Sequence, residues 1–204
     1  MKYVSIDIET TGLDPETCQV LQVGAVIEDT NNVVDLDKLP RFNCIVEHQS
    51  YTGSPYALWL NSNLLKKLGD MESLKRDDRL DYRKSHNILP AGTVAASFNM
   101  WLIANGFPQS ETGAVTINAA GKNFASFDKN FLVKLPTWTS KIQMRQRIMD
   151  PAILFMDWTV DEALPNLNTC LNRANLSGEI THDAVDDAVD VVRVIRAATN
   201  NYSK

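Results

Sequence analysis

Residues 3–13, YVSIDIETTGL, set two carboxylates, Asp7 and Glu9, inside a stretch that otherwise reads as a buried strand. Successive side chains of a strand point to opposite faces. Asp7 and Glu9 therefore share one face, while Ile6 and Ile8 take the other. Two acids on a covered face repel each other and lose hydration, which calls for a cation beside them. A strand with one solvated face would also read DIE, so the pair alone is weak. The following TTGL adds weight, because a Gly-containing turn brings backbone N–H groups close to the same acids.

The 204 residues, of which 44% are hydrophobic, suffice for one sizeable core, and the reading is a single domain over 1–204. A net charge of −5 argues against a protein that coats a long duplex with Lys and Arg. Cys18, Cys44 and Cys170 are odd in number and lack CxxC spacing, so neither a disulfide framework nor a zinc site is suggested. The carboxylates of YVSIDIE exclude a signal-peptide core, and no apolar run approaches the roughly 18 residues of a membrane span. These features predict a soluble, cytoplasmic protein with no membrane partner.

KYVSIDIE, QVLQVGAVIED and RFNCIVEHQ, separated by GLDPET and DTNN, predict an antiparallel three-strand meander. SPYALWLNSNLLKKLGD reads as helical up to Gly69. The charged run ESLKRDDRLDYRKSHN (72–87) reads as a solvated loop or exposed helix and as the most mobile segment. Val94, Phe98, Trp101 and Leu102 give one helical stripe, stopped by Gly106. AVTINAAG then reads as a buried strand, SFDKNFLVKL as a helix and RIMDPAILF as a further strand. LPNLNTCLNRANL and DAVDDAVDVVRVIRAATN add two helices. The order predicts an α/β domain whose mixed sheet begins with the meander and continues through parallel crossover strands flanked by helices.

Two more acids join the first pair. Asp128 lies just past a buried strand, in a helical first turn where the dipole favours negative charge. His182 precedes Asp187 by five residues, about 140° on a regular helix, so the two share no helical face. His182 is therefore expected at or before the helix start, with Thr181 or Asp183 as N-cap, so that His182 and Asp187 reach one point. Asp183, Asp186 and Asp190 read as a solvated face. Four carboxylates, Asp7, Glu9, Asp128 and Asp187, suit two Mg2+ or Mn2+ ions, which prefer hard oxygen ligands and can assist a phosphoryl displacement.

SIDIETTGLD, AAGKNFASFDKNFL and HDAVDDA, with supporting likeness in RIMDPAIL and LPNLNTCLNRANL, resemble in order the motifs of the DEDDh 3′-to-5′ exonucleases, a family on the ribonuclease H-like fold. The resemblance implies metal ligation by Asp7, Glu9, Asp128 and Asp187, with His182 as general base. It places the terminal 3′ hydroxyl against Thr10 and Thr11 in the TTGL turn with Gly12, and an apolar wedge at Leu13. Trp59 and Asn61 lie where members contact the terminal nucleotide, although a core tryptophan reads equally well. Asn123 reads as a substrate contact, a loop-fixing residue or, most simply, a cap. The basic residues Lys122, Lys129, Lys134, Lys141, Arg145 and Arg147 are expected either to guide a phosphate backbone or to be ordinary solvated charges.

The implied function is release of nucleoside 5′-monophosphates from single-stranded DNA or RNA 3′ ends. The alternatives are an oligoribonuclease-like enzyme acting on short RNA and a non-catalytic, polymerase-associated nucleic-acid-binding subunit. A polymerase or homodimer partner stays open.

Overall fold

The computed structural model describes residues 1–176, 183–200 and 202. The three leading strands, β1 (Lys2–Thr10), β2 (Val20–Asp29) and β3 (Arg41–Glu47), form the expected antiparallel meander. There follow α1 (Pro55–Leu60), α2 (Ser62–Ser73), α3 (Arg79–Ser85), β4 (Ile88–Pro90), α4 (Ala91–Ala104), β5 (Val115–Ile117), β6 (Ala119–Ala120), α5 (Asp128–Leu132), α6 (Trp138–Lys141) and β7 (Ile142–Met144). A 3-10 turn over Pro151–Phe155 leads to α7 (Leu167–Arg173) and α8 (Ala184–Ala198). The main sheet runs β4-β3-β2-β1-β6, with parallel pairs at both edges, and β5 and β7 form a separate parallel pair.

The alternation of β1 sorts the two layers. Val4, Ile6 and Ile8 pair with Ile27, Ala25 and Val23 and pack with Phe98, Leu102, Phe124, Phe131 and Trp138 on one face. On the other face Tyr3 and Val26 join the valines of α8 and the apolar side of α7. The β-branched residues of α8 have modest helix propensity, so its stability comes from burial on several sides and from the Asp183 cap rather than from the backbone alone. Its last turns are held by Arg196, which donates to both oxygens of buried Glu28 on β2 at 3.1 and 2.6 Å.

Three expectations need correction. RIMDPAILF is not a strand: Pro151 has no N–H and a locked φ, so the chain turns under an Asp150 cap, and Met149 alone bridges Ala120. AVTINAAG is two short strands, because the chain changes partner at Asn118, from β7 to β1. α2 passes through Gly69 to Ser73, since a glycine whose surroundings are open merely weakens a helix. The charged run matches its reading as an exposed helix in α3, which has no buried residue and whose Arg83 makes a two-pronged pair with Glu47 at 2.8 and 2.6 Å; the strand β4 that follows is an addition to the expected elements. The stop after α4 matches expectation: Gly106 has φ +80° and its N–H closes on Ile103.

One glycine decides how the layers meet. Gly24 stands opposite Asp7 on β2, and a Cβ there would overlap the backbone of Ala184 and Val185, so the first turn of α8 rests directly on the sheet. Gly24→Ala is expected to lower stability by about 1–3 kcal/mol through overpacking. Gly69→Ala, pointing into open space, should raise it by about 0.5–1 kcal/mol. Urea denaturation of both variants checks the contrast; equal effects would contradict this packing.

Candidate metal centre

The acid site assembles where β1 ends under the first turn of α8. Opposed residues of antiparallel strands share a face, so Asp7/Gly24 and Glu9/Gln22 form two rows facing α8. The β1–β2 register shifts between Glu9 and Thr10, a bulge that ends regular pairing beside the acids. Asp183 caps α8 by accepting from Val185 N at 3.0 Å and Asp186 N at 3.4 Å. Asp187 N then donates to Asp183 O at 3.0 Å, which sets Asp187 in the first turn, facing the strand.

Asp7, Glu9 and Asp187 each present an oxygen within 4.8 Å of the other two. Asp128 stands outside that triplet, at the start of α5. β6 ends at Ala120, and beyond it the N–H of Ile8 finds Asp128 Oδ1 at 3.1 Å. Asp128 is still close enough to be the strongest electrostatic influence on Asp7.

Two carboxylates 4.8 Å apart, both ionised, repel by roughly 3 kcal/mol at an effective dielectric near 20. The titration behaviour follows. Burial, then the charges of Asp128, Asp187 and Glu9, push Asp7 well above the usual carboxylate range. Burial and then Asp187 raise Glu9 to about 7, against a hydrogen bond from Asn61 that lowers it. Burial raises Asp128 to about 7, opposed by backbone N–H bonds including that of Ile8. Asp187 reaches about 7 through burial, then Asp190, Asp183 and Asp186. Asp187 Oδ1 is buried without a hydrogen-bond partner among the described residues. A set of hard oxygens, mutually repelling and with one buried lone pair unsatisfied, fits a divalent cation such as Mg2+ or Mn2+.

The TTGL turn borders the acids and is rigidly built. Thr10 Oγ1 donates to Gly12 O at 2.7 Å, Thr11 Oγ1 to Thr52 O at 2.6 Å, and Thr11 N to Gln19 O at 2.9 Å. Thr11's donors are thus committed inside the protein. Gly12 lies against the Cys18 thiol, whereas Leu13 projects outward with 83% of its surface exposed. Trp59 is 70% exposed, which removes the alternative of a core tryptophan, and Tyr56 lies beside it with ring centroids 6.1 Å apart. Asn61 is buried, and its amide donates to Thr10 O and Ala57 O at 3.2 Å each. Asn123 adopts φ +58°, with its N–H on Asp150 Oδ2 at 2.9 Å and its carbonyl accepting from Ser126 and Phe127, in the turn that leads to Asp128.

His182 and Thr181 lie outside the described residues. Asp183 caps the helix, as one of the two expected N-cap residues, rather than standing on a solvated face. The solvated-face reading is also corrected for Asp190, which is buried and paired with Arg193 at 2.6 Å. The guiding role for the basic stretch also loses two members. Arg145 and Arg147 line a groove with Asn118, whose amide donates to Lys2 O, about 23 Å along β1 from Glu9. Lys122 and Lys134 pair with Asp150 and Glu16. Sequence reasoning missed Gln22, buried beneath the α8 start; its apolar neighbours in QVLQVGAVIED gave no hint of a polar partner.

The sheet order, the parallel strand beside β1 and the acids at its end define the ribonuclease H-like fold. Neither a protein-family profile nor a curated protein sequence matches the chain. Among solved structures it is similar to cell-death related nuclease 4, with a TM-score of 0.59 and 16% identity over 99% of this chain and 64% of that one. Exonuclease I of Methylocaldum szegediense aligns with a TM-score of 0.59 and 13% identity, covering 98% of this chain and 40% of that one. E. coli exonuclease I in complex with a dT13 oligonucleotide aligns with a TM-score of 0.59 and 14% identity, covering 98% and 41%. The chain thus spans less than two thirds of the length of each.

Raised carboxylate pKa values have a definite sign in stability. Between about pH 4 and 7 the folded chain holds protons on Glu9, Asp128 and Asp187 that the unfolded chain has released, so stability falls as pH rises through that window. In EDTA the Tm is expected to fall from about pH 5 to about pH 8. Excess Mg2+ or Mn2+ should raise it more at the upper pH, because ligands bind deprotonated. A Tm in EDTA that rises across this range, in scanning calorimetry, would contradict the site.

Proposed function

We propose that the chain is a metal-dependent 3′-to-5′ exonuclease of the DEDDh type that releases nucleoside 5′-monophosphates from single-stranded nucleic acid. The observation that carries this reading is the approach of Asp7, Glu9 and Asp187 around a buried, unpartnered Asp187 oxygen at the end of β1. Support comes from the fold shared with nucleases, one of them solved in complex with a dT13 oligonucleotide.

Asp7, Glu9 and Asp187 would hold one Mg2+ or Mn2+ ion, and Asp7 with Asp128 a second. Bound there, two such cations would offset the charge of the phosphodiester and lower the pKa of the attacking water. The remaining work falls to the chain. His182, five residues before Asp187, takes the proton of that water, a role suited to an imidazole near neutral pH. Leu13 and Trp59, both exposed, lie against the terminal bases. The tightly bonded Thr10–Gly12 turn holds the 3′ end at a fixed height, and Asn61 anchors that turn to α1. Asn123 acts through the loop that delivers Asp128.

Incubation with 5′-labelled single-stranded DNA, long RNA and di- to pentaribonucleotides in Mg2+ or Mn2+ tests this. The expected result is stepwise shortening from the 3′ end, blocked by a 3′-phosphate and abolished by EDTA. Cleavage of short RNA alone would favour the oligoribonuclease-like reading. Metal binding without hydrolysis of any substrate would favour a non-catalytic subunit.

The residue roles separate in a second experiment. Asp7→Asn should lose both metal-induced thermal stabilisation and activity. His182→Ala should keep the stabilisation yet lose roughly 10²–10⁴-fold in rate, with a residual rate that climbs with pH. His48→Ala and His86→Ala, outside the three motifs, should leave the rate nearly unchanged. A wild-type rate for His182→Ala across about pH 6 to 9 would remove the base from this assignment.

A further inference from the structure

Gln22 is 2% exposed, and its side-chain amide is wholly engaged between the sheet and α8. It stands opposite Glu9 on the face that carries the acids. Its Nε2 donates to Asn43 Oδ1 on β3 at 3.0 Å and to Asp183 Oδ2 at 3.1 Å, while its Oε1 accepts from Ala184 N at 3.4 Å. The second oxygen of Asp183 is already occupied by the N–H groups of Val185 and Asp186. One carboxylate is thus clamped between a sheet amide and the opening turn of the helix.

We infer that Gln22 is a positioning residue for the metal centre. It fixes the rotation and height of the first turn of α8 over β2, and so sets where Asp187 stands relative to Asp7 and Glu9. The inference rests on the metal-site reading above. Its chemistry is specific: a neutral amide offers a donor to Asp183 without adding negative charge to a crowded acid cluster, and its carbonyl takes the helix N–H that Asp183 leaves. The rest of α8 is held independently, by its apolar packing and by the Arg196–Glu28 pair at its far end. Loss of the amide therefore leaves the helix docked and its first turn loose. Partners that orient ligands in this way typically contribute 10- to 100-fold to metal affinity or activity.

The test is Gln22→Met, which keeps length and bulk but removes donor and acceptor. Mn2+ affinity is measured by calorimetry well below the Tm, kcat and KM are taken at limiting and saturating Mn2+, and hydrogen exchange is followed at Val185 and Asp186. The expected result is Mn2+ binding weakened about 10- to 100-fold, with kcat low at limiting metal and partly restored at saturation. Oligonucleotide KM should change little, and exchange should accelerate at the first turn of α8 alone. Should Gln22→Met not fold, Asn43→Ala, at an exposed position, removes the amide's other anchor and should weaken Mn2+ in the same direction by a smaller factor. Wild-type Mn2+ affinity in a folded Gln22→Met, or in Asn43→Ala where Gln22→Met does not fold, would overturn the inference, even with a lowered Tm. If the wild-type protein itself bound no Mn2+, the metal-site reading would fail, and unchanged exchange in Gln22→Met would then separately overturn the role of Gln22.

Discussion

The structure turns on a contact that a single methyl group would prevent. The first turn of α8 comes down onto the sheet because β2 presents a glycine there, and that glycine is the partner of Asp7. Strand pairing then fixes the rest: Gln22 falls opposite Glu9, the α8 cap falls over Gln22, and Asp187 falls over Asp7 and Glu9. The result is electrostatically unfavourable on its own. Asp7 and Glu9 are raised by burial and by the neighbouring acids, Asp128 by burial, and Asp187 by burial and by Asp190, Asp183 and Asp186; their cost is offset along the remainder of the interface by the packed valines of α8, where Arg196 also pairs with buried Glu28. Such a pair adds little net stability, but breaking it would strand a charge, so it favours one seating of the helix.

Much of this was legible in the sequence. Alternation in YVSIDIE put Asp7 and Glu9 on one face, and the α4 stripe with its stop at Gly106 stands as read. What escaped depends on partners distant in the chain. Nothing local to AVTINAAG announces that Asn118 is where it leaves one strand for another. In RIMDPAILF the apolar run hid the dominant fact, the proline. Asp190 and Gln22 looked like ordinary polar positions because their burial is created by a helix and a sheet meeting, which no periodicity records. The charged run over 72–87 is fastened by an arginine whose acid lies 36 residues away.

Identities of 13–16% with nucleases of the same fold show how loosely that fold constrains sequence. A fold of this kind hosts different activities, and function is argued from the site placed on it. Here the site has two unlike parts. The acids are held by strand register and helix seating, among the most rigid devices a domain has. Leu13, Tyr56 and Trp59 are instead displayed on a turn and a short helix, outside the core, with most of their surface exposed. On the proposed function, rigidly held acids with an exposed apolar rim would suit a reaction in which geometry at one phosphate matters and the identity of the base does not.

The most direct measurement is diffraction from crystals soaked in Mn2+ and recorded at the manganese absorption edge. An anomalous peak is expected about 2 Å from oxygens of Asp7, Glu9 and Asp187, including the buried Oδ1 of Asp187. Manganese bound elsewhere while these oxygens stay unliganded, or no manganese at all, would contradict it.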